Sequence, residues 1–398
     1  MENRLRRPLS RRQPKMMAIG AAGLLVASIL AACSGASSSP SASAGESTVP
    51  GTAPASAPGS AAALGGTINW MGFEGEDGGT LDLVKTWLAD NNLELKTTST
   101  PQSDMVVAQA KLGNVIDVAS VNNGYVPVLA KAGLLTPLDL TKIPNAADLW
   151  PVLKTIPWAL DSQGRVVAIP MLWGDGPSVY NPAKVSKLPA SPLELANPEW
   201  KGRLVWLDDP YYPLWAFANA MGYPNPRCLT KDELAKVADK LRPAIKNGVA
   251  IAGSFGELAD YLVRGDADLA PQGWEAMLGM AAEKGVDLKY ATIAPMNAGW
   301  SDAYVIPTTA ENIDAAYAFT NYLLKPDVNA TLATNLASGV TNEKAFSLLS
   351  PDLQQLYDYT IVKDPNSPVK IDIYVPPQDD AACTTPADWA KVWDSLKV

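Results

Sequence analysis

A low-complexity segment at residues 34–64 limits where this chain of 398 residues can build a folded core. It consists almost entirely of Ser, Ala, Pro, Gly and Thr, with Glu46 as its one charged residue and no aromatic residue. Such a segment buries too little apolar surface to offset the conformational entropy lost on folding. We therefore expect a disordered tether with a root-mean-square reach of about 30 Å, followed by a folded region from residue 65.

The residues before this tether have the three parts of a secretory signal. Six cationic residues within 1–15 precede an apolar stretch at 16–32, and small residues lead to Leu30-Ala31-Ala32-Cys33. The last four residues resemble the lipobox of bacterial lipoproteins, in which the Cys is diacylated and becomes the mature N-terminus. This resemblance implies a lipoprotein signal peptide at 1–32, lipidation of Cys33, and a lipidated Cys with its tether at 33–64. An ordinary signal peptide that contains a Cys is the alternative, and the export route stays open between general secretion and the twin-arginine pathway.

Charge and the absence of histidine exclude several functions. Residues 1–32 carry six cations and one anion, so their removal changes the net charge from −9 to about −14. This acidity argues against nucleic acid and against an anionic membrane surface as partners, and it weakly favours a cationic ligand. The chain contains no His, which removes Ser-His and Cys-His catalysis and His-ligated zinc. The sequence also lacks a Gly-x-Ser-x-Gly elbow and a Gly-x-x-x-x-Gly-Lys loop, and we expect a protein that is not an enzyme and needs no cofactor, although a pair of acidic residues could still support glycoside hydrolysis.

The chain has three cysteines, Cys33, Cys228 and Cys383. If Cys33 carries lipid, the other two are an even pair in an oxidising compartment, where a disulfide is favoured. Two separate buried thiols are the alternative.

Strand and helix patterns alternate from residue 67 onward, which favours α/β layering with a parallel or mixed sheet. Residues 68–70 and 93–96 have strand character, with a helical apolar face between them. Thr230 and Glu233 form a capping box for a later helix. Another helix is expected at 311–324, and the last helix should begin after Thr385 with Pro386 in its first turn.

Six short sequence motifs follow one another in the folded region. In order they are residues 68–73 (Ile-Asn-Trp-Met-Gly-Phe), 168–174 (Ala-Ile-Pro-Met-Leu-Trp-Gly), 197–202 (Asn-Pro-Glu-Trp-Lys-Gly), 261–269 (Tyr-Leu-Val-Arg-Gly-Asp-Ala-Asp-Leu), 300–302 (Trp-Ser-Asp) and 321–328 (Asn-Tyr-Leu-Leu-Lys-Pro-Asp-Val). Their order and spacing resemble the spermidine/putrescine-binding proteins of bacterial ABC importers. The resemblance implies a two-lobe, type II-like periplasmic-binding-protein fold whose lobes are joined by hinge strands.

The same resemblance implies an organisation and a set of partners. Lobe 1 would contain residues 65–170 plus 301–340, and lobe 2 would contain residues 171–300 plus 341–398, with a third passage between lobes near 337–341. A disulfide between Cys228 and Cys383 would then lie within lobe 2. The protein would be an extracytoplasmic, lipid-anchored monomer that captures a polyamine or related cation and delivers it to an inner-membrane ABC permease. An amino-acid-like solute, a sugar or ferric ion are alternative ligands, and an exported enzyme is the alternative class.

The resemblance also assigns ligand contacts. Aromatic walls suit the methylenes of a polyamine, and carboxylates suit its ammonium groups. The residues implied as ligand contacts are Trp70, Phe73, Asp209, Tyr212, Ser254, Trp274, Trp300, Asp302 and Gln378.

Two positions depart from the family pattern. Gly72 and Tyr212 stand where the polyamine binders carry acidic residues, so two expected carboxylates are missing. Glu74, Glu76 and Asp175 lie nearby in the sequence and are candidates to replace them. A less charged solute is equally compatible with these departures.

Overall fold

The computed structural model describes residues 64–78, 82–100, 103–296, 298–367, 369–371, 375–377 and 380–397. The predicted signal peptide, almost all of the tether, Cys33 and Gln378 lie outside these residues. Within them two β-sheets, each packed against helices, form the expected α/β layers. None of the helices in these ranges combines the length and apolar character that a membrane crossing requires.

The first sheet is mixed, with strand order β11-β4-β10-β3-β1-β2, and β12 pairs with β10. Strand β1 is parallel to β2 and β3, whereas β10 is antiparallel to both β3 and β4. Numbered in chain order, its strands are β1 (Gly66–Gly72), β2 (Leu93–Ser99), β3 (Val118–Asn122), β4 (Ile169–Gly174), β10 (Ala298–Val305), β11 (Gly339–Val340) and β12 (Lys370–Ile371).

The second sheet has the strand order β7-β6-β8-β5-β9. Strand β6 is parallel to β7 and β8, and β5 is antiparallel to β8 and β9. Its strands are β5 (Ser178–Tyr180), β6 (Leu204–Leu207), β7 (Gly248–Ala252), β8 (Leu269–Ala270) and β9 (Lys289–Ala291).

Two helices begin where their capping signals predict. Thr230 and Thr385 both form capping boxes, with Glu233 and Asp388 accepting hydrogen bonds from the cap backbone at 2.8 and 2.9 Å. The helices are α1 (Lys85–Asp90), α2 (Ser103–Lys111), α3 (Val126–Lys131), α4 (Pro151–Lys154), α5 (Tyr212–Ala220), α6 (Lys231–Lys246), α7 (Phe255–Arg264), α8 (Ala276–Ala282), α9 (Ile313–Leu323), α10 (Pro326–Asn335), α11 (Pro351–Leu356), α12 (Thr360–Lys363) and α13 (Pro386–Leu396).

Each sheet has its own hydrophobic core. We call the apolar side chains packed on the first sheet, such as Ile68, Trp70 and Phe319, the first core. The side chains packed on the second sheet form two clusters, one around Trp389 and the other around Leu258, and we call these together the second core. The chain passes from the first sheet to the second between β4 and β5 and returns between β9 and β10.

The third passage differs from the expected one at 337–341. Side chains between Val340 and Val362 still pack on the first core, and Tyr357 and Tyr359 place their rings 5.7 and 5.1 Å from the ring of Trp173. The chain joins the second core only with Trp389 and the rest of α13. Residues 171–174 and Trp300 also belong to strands of the first sheet, β4 and β10, rather than to the second lobe.

Cys228 and Cys383 form a disulfide across 155 residues of sequence. The bond joins the chain just before α6 to the chain just before α13. Both helices contribute to the second core, through Leu234 and Trp389 for example. The cross-link therefore fixes the C-terminal helix to the second core and does not bridge the two cores.

Candidate solute-binding site

The candidate site lies where the two cores meet. At the start of α5, the Tyr212 hydroxyl donates to the carbonyl oxygen of Gly176 at 3.3 Å and to that of Met296. Tyr211 packs against side chains of both cores. On β9, the Tyr290 hydroxyl donates to the carbonyl oxygen of Leu356, which belongs to the first-core side. Side chains near these contacts are therefore in a position to touch one solute from both sides.

A pair of buried carboxyl groups, Glu76 and Asp302, lies on the first-core side. Asp302 projects from β10, and Asn122 of β3 donates to its Oδ1 at 3.2 Å. Burial and the charge of Asp302 raise the pKa of Glu76 well above its usual value. Burial raises the pKa of Asp302 to about 6, while hydrogen bonds from Asn122 and Glu76 oppose that rise. In the hydrogen bond between the two carboxyl groups, Glu76 is therefore the donor and Asp302 the acceptor.

The local packing explains why Glu76 takes this place. A Cβ atom at Gly72 would lie 2.1 Å from Oγ of Ser120, so no side chain fits there. The Ser120 hydroxyl accepts a hydrogen bond from the backbone N–H of Phe73 at 3.1 Å and also bonds the Glu76 carboxyl. Glu74, by contrast, is exposed to solvent. Glu76 thus brings a carboxyl group close to residue 72, which lies four residues earlier in the chain.

Asp175 and Glu275 form a second buried carboxyl pair. Asp175 lies on the connector between β4 and β5, and its backbone N–H donates to Oε1 of Glu275 at 3.1 Å. Burial and the nearby charge of Asp175 raise the pKa of Glu275 well above its usual value. Burial also raises the pKa of Asp175, although its hydrogen bond with Glu275 opposes this effect. In the hydrogen bond between the two side chains, Glu275 is therefore the donor and Asp175 the acceptor.

Asp209 is a fifth carboxyl group at the boundary, on the second-core side. It accepts hydrogen bonds from the backbone N–H groups of Tyr211 and Tyr212 at 2.8 and 3.2 Å and from Nε2 of Gln272 at 2.8 Å. Burial raises its pKa, and these hydrogen bonds oppose the rise. The same contacts fix the start of α5, which places the Tyr212 side chain in the boundary.

The predicted aromatic walls have different surroundings. Trp70 is 1% exposed and belongs to the first core. Trp300 is half-buried and lies flat against β4, where a Cβ atom at Gly174 would come within 2.5 Å of its Nε1. Trp274 is half-buried, with its ring 5.9 Å from that of Phe255. Trp300 and Trp274 therefore have the partial exposure that a ligand wall requires, and Phe73 is half-buried as well.

The structure also places Ser254 at the surface. Its side chain is exposed and caps α7, where its Oγ accepts the backbone N–H of Glu257 at 3.2 Å. Ser254 and Glu74 are thus on the surface, whereas Trp300, Asp302 and Asp175 are brought together along β10 and β4.

Glu275 is not among the site residues that the sequence analysis predicted. One signal was available, because Glu275 is a single charge within the otherwise apolar run Trp274 to Leu278. A charged residue in such a run, directly after an aromatic residue, lies either on the exposed face of a helix or in the interior, where it needs a hydrogen-bond or charge partner. The structure shows that it is fully buried.

These carboxyl groups have no basic partner in the described part of the chain. Every ion pair in the described part of the chain is formed by an acidic side chain other than these carboxyl groups. The five groups concerned are Glu76, Asp175, Asp209, Glu275 and Asp302. Because buried carboxylates are stable only when paired or hydrogen-bonded, this concentration of acid is electrostatically suited to a cation from outside.

Two α/β units that are joined where the chain crosses between the sheets, with carboxyl groups at the boundary between the units, are typical of a two-lobe solute-binding protein. A family model described as bacterial extracellular solute-binding protein matches residues 82–360. The chain belongs to this family.

Individual relatives give the same picture at low identity. The spermidine/putrescine-binding periplasmic protein of Escherichia coli (strain K12) is 27% identical over 251 residues, which are 62% of this chain and 69% of that protein. The putrescine-binding periplasmic protein SpuD of Pseudomonas aeruginosa (strain UCBPP-PA14) is 29% identical over 252 residues, 59% of this chain and 67% of that protein.

Solved structures agree on the fold. A spermidine/putrescine ABC transporter substrate-binding protein from Streptococcus pneumoniae superposes with a TM-score of 0.66 at 21% identity, covering 83% of this chain and 97% of that chain. The protein MotA from A. tumefaciens B6, in complex with glucopine, superposes with a TM-score of 0.60 at 17% identity and covers 83% and 100% of the two chains. The fold is therefore that of the periplasmic binding proteins, and its solutes differ among members.

Proposed function

We propose that this protein is the substrate-binding component of an ABC importer and that it captures a small organic cation, with a polyamine as the first choice. The observation that carries the proposal is the Glu76–Asp302 pair, a buried acid pair with no basic partner among the described residues. Two relatives, a spermidine/putrescine-binding protein and a putrescine-binding protein, support the same class of solute.

Capture would work by closure of two lobes built on the two cores. A cation held by Asp302 on one side and by Asp209 or Trp274 on the other contacts both lobes at once. Such a solute binds the closed arrangement better than an open one and shifts the population towards it. The permease would then recognise the closed form of a single, monomeric binding protein.

Anchoring is part of the proposal. Lipidation of Cys33 would hold the protein on the outer side of the cell membrane, and the tether of residues 34–64 would let the folded region reach its permease. This part rests on the sequence pattern at 30–33 and on the extracellular character of the family.

Isothermal titration calorimetry with the purified protein tests the solute class. We expect putrescine or spermidine to bind, and betaine, γ-aminobutyrate and glucose to bind at least about 100-fold more weakly, a difference of about 2.7 kcal/mol. Betaine is the sharpest control because its quaternary ammonium has no N–H to donate to a carboxylate. Equal binding of glucose and putrescine, or binding of neither amine, would contradict the proposal.

Affinity for the amine should depend on pH through Asp302. Its pKa of about 6 means that about one molecule in ten has Asp302 ionised at pH 5, so affinity should fall about tenfold between pH 7 and pH 5. The stability of the free protein should change in the opposite direction. Because the folded pKa lies above the usual 3.8, folding takes up a proton, and stability increases as pH falls from 6 towards 4. Titrations and thermal unfolding at matched pH values check both signs; an affinity that rises towards pH 5 would contradict the assignment.

Ferric ion is disfavoured as the solute. Iron-binding tyrosines act as phenolates, but burial raises the pKa values of both Tyr211 and Tyr212. The Tyr212 hydroxyl is also engaged as a donor to backbone carbonyl oxygens. A neutral, hydrogen-bonded phenol is a poor ligand for a hard cation.

A further inference from the structure

Gly174 ends β4 and lies opposite Trp300 of β10. Its backbone does not require glycine, because its φ lies outside the left-handed region, whereas Gly176, two residues later, has a φ of 59°. A glycine inside a strand weakens the strand and often marks a place where another group approaches closely. The reason for glycine at position 174 is therefore a neighbouring group rather than the backbone.

That neighbouring group is the indole ring of Trp300. A Cβ atom at Gly174 would lie 2.5, 2.6 and 2.8 Å from Nε1, Cε2 and Cζ2 of this ring. Non-bonded carbon atoms settle about 3.5–4.0 Å apart, so an alanine at this position would push the ring about 1 Å away from β4. The absence of a side chain at Gly174 is what allows the ring to lie against the strand.

The pairing of β11 with β4 shows the same arrangement on the other face of β4. Gly339 lies opposite Trp173, and a Cβ atom at Gly339 would come within 2.5 Å of that ring. Trp173 is completely buried in the first core. Because successive residues of a strand point to opposite faces, Gly174 and Trp300 share the other face. Trp173 therefore fills the core, whereas the half-buried Trp300 keeps part of its ring exposed to a solute.

The place of the Trp300 ring matters because Asp302 follows two residues later on the same strand. Both side chains leave the same face of β10, from Cα atoms about 7 Å apart. A cation is attracted to an aromatic ring when it lies within about 6 Å of the ring centre. A displacement of the ring by about 1 Å is large on this scale. The position of the ring therefore decides whether Trp300 and Asp302 can hold the same alkylammonium group.

We propose that Gly174 is a positioning residue for solute binding: it holds the Trp300 ring against β4, at the distance from Asp302 that an alkylammonium group needs. The inference deepens the proposed function and rests on it. Gly174 itself does not contact the solute, because the ring of Trp300 occupies the space that its side chain would take. Its effect on affinity passes through Trp300 alone.

A double-mutant cycle tests this inference. The four proteins are the wild type, Gly174→Ala, Trp300→Ala and G174A/W300A, and calorimetry measures their binding of 1,4-diaminobutane. We expect Gly174→Ala and Trp300→Ala each to weaken binding by about 5- to 30-fold, which is the range of a desolvated cation–π contact. The double variant should bind within about threefold of Trp300→Ala, because the alanine side chain has room once the indole is removed.

Gly279→Ala is the matched control. This glycine is exposed in α8, and no atom lies within 4 Å of a Cβ atom added to it. The replacement should therefore leave the affinity for 1,4-diaminobutane unchanged.

A second measurement needs no solute. Near-ultraviolet circular dichroism of the free protein should change when Gly174→Ala is made in the wild type, and it should stay the same when this replacement is made in Trp300→Ala. If Gly174→Ala alone does not fold, G174A/W300F takes its place, because the smaller ring leaves room for the added methyl group. This variant should bind within about threefold of Trp300→Phe.

Unchanged affinity in Gly174→Ala would overturn the inference. A loss of the same size with and without Trp300 would also overturn it, because Gly174 would then act through the connector that follows β4. If the wild type does not bind 1,4-diaminobutane, the proposed function itself fails, and the dichroism still decides whether Gly174 holds the ring.

Discussion

Replacing Glu76 with Gln and Asp302 with Asn together should weaken binding of putrescine or spermidine by about 10- to 100-fold. Hydrogen bonds to charged groups contribute about 1.5–3 kcal/mol, and each 1.4 kcal/mol is a tenfold change in affinity. Both residues must change, because Glu76 would ionise more readily once the charge of Asp302 is gone. The single variant D302N should therefore show a smaller loss.

The fold should survive this double replacement. The amide that D302N introduces would still offer an acceptor oxygen to Asn122, and the amide that E76Q introduces would still donate to its neighbour. Since the buried carboxyl groups have raised pKa values, their removal should leave the melting temperature unchanged or higher at pH 7. Asp314→Asn is the matched control, because this carboxylate lies on the first-core side with 75% of its side chain exposed. Wild-type affinity in the double variant, or the same loss in Asp314→Asn, would refute the site.

Removal of the disulfide with C228S/C383S should lower the free energy of unfolding by about 2–5 kcal/mol. The cross-link closes a loop of 155 residues, and it therefore restricts the unfolded chain strongly. In the folded protein it secures the start of α13, whose Trp389 and Trp393 are almost completely buried in the second core. Denaturant unfolding of the wild type and the double variant measures the difference.

Affinity for the amine should be unaffected by this change. Both cysteines lie beside helices of the second core, and Thr384 already fixes the same junction by donating to the carbonyl oxygen of Leu229 at 2.7 and 2.8 Å. Single Cys→Ser variants are poor controls because each leaves a free thiol. The reduced wild type is the better one, and it should behave as the double variant does. A large loss of affinity with unchanged stability would show that the disulfide instead controls the cleft.

Much of the fold follows from local patterns in the sequence. The capping boxes at Thr230 and Thr385 depend on residues three apart, and both helices start where these signals predict. The helix expected at 311–324 is present as Ile313–Leu323. The family match and the fold agree with the order of the motifs between residues 68 and 328.

The positions at which the chain crosses between the two sheets were harder to predict from the sequence. Strand β11 at 339–340 has no local feature that assigns it to either sheet. It joins the first sheet by pairing with β4, where Gly339 lies opposite Trp173, a residue far earlier in the chain, and the rings of Tyr357 and Tyr359 pack on the same Trp173. A contact between residues so far apart in the sequence cannot be predicted from local hydrophobic periodicity.

The sequence by itself indicated the α/β class and the caps of two helices, and it favoured a disulfide between Cys228 and Cys383 over two separate thiols. It could not determine which carboxyl groups are buried. Glu74 and Glu76 are two residues apart, yet Glu74 is exposed, whereas Glu76 is buried and hydrogen-bonds Ser120 and Asp302. Asp175 and Glu275 are 100 residues apart and meet only where the connector crosses to the second sheet. Burial and pairing of charge depend on contacts between distant segments, so only the tertiary structure could assign the acid pairs.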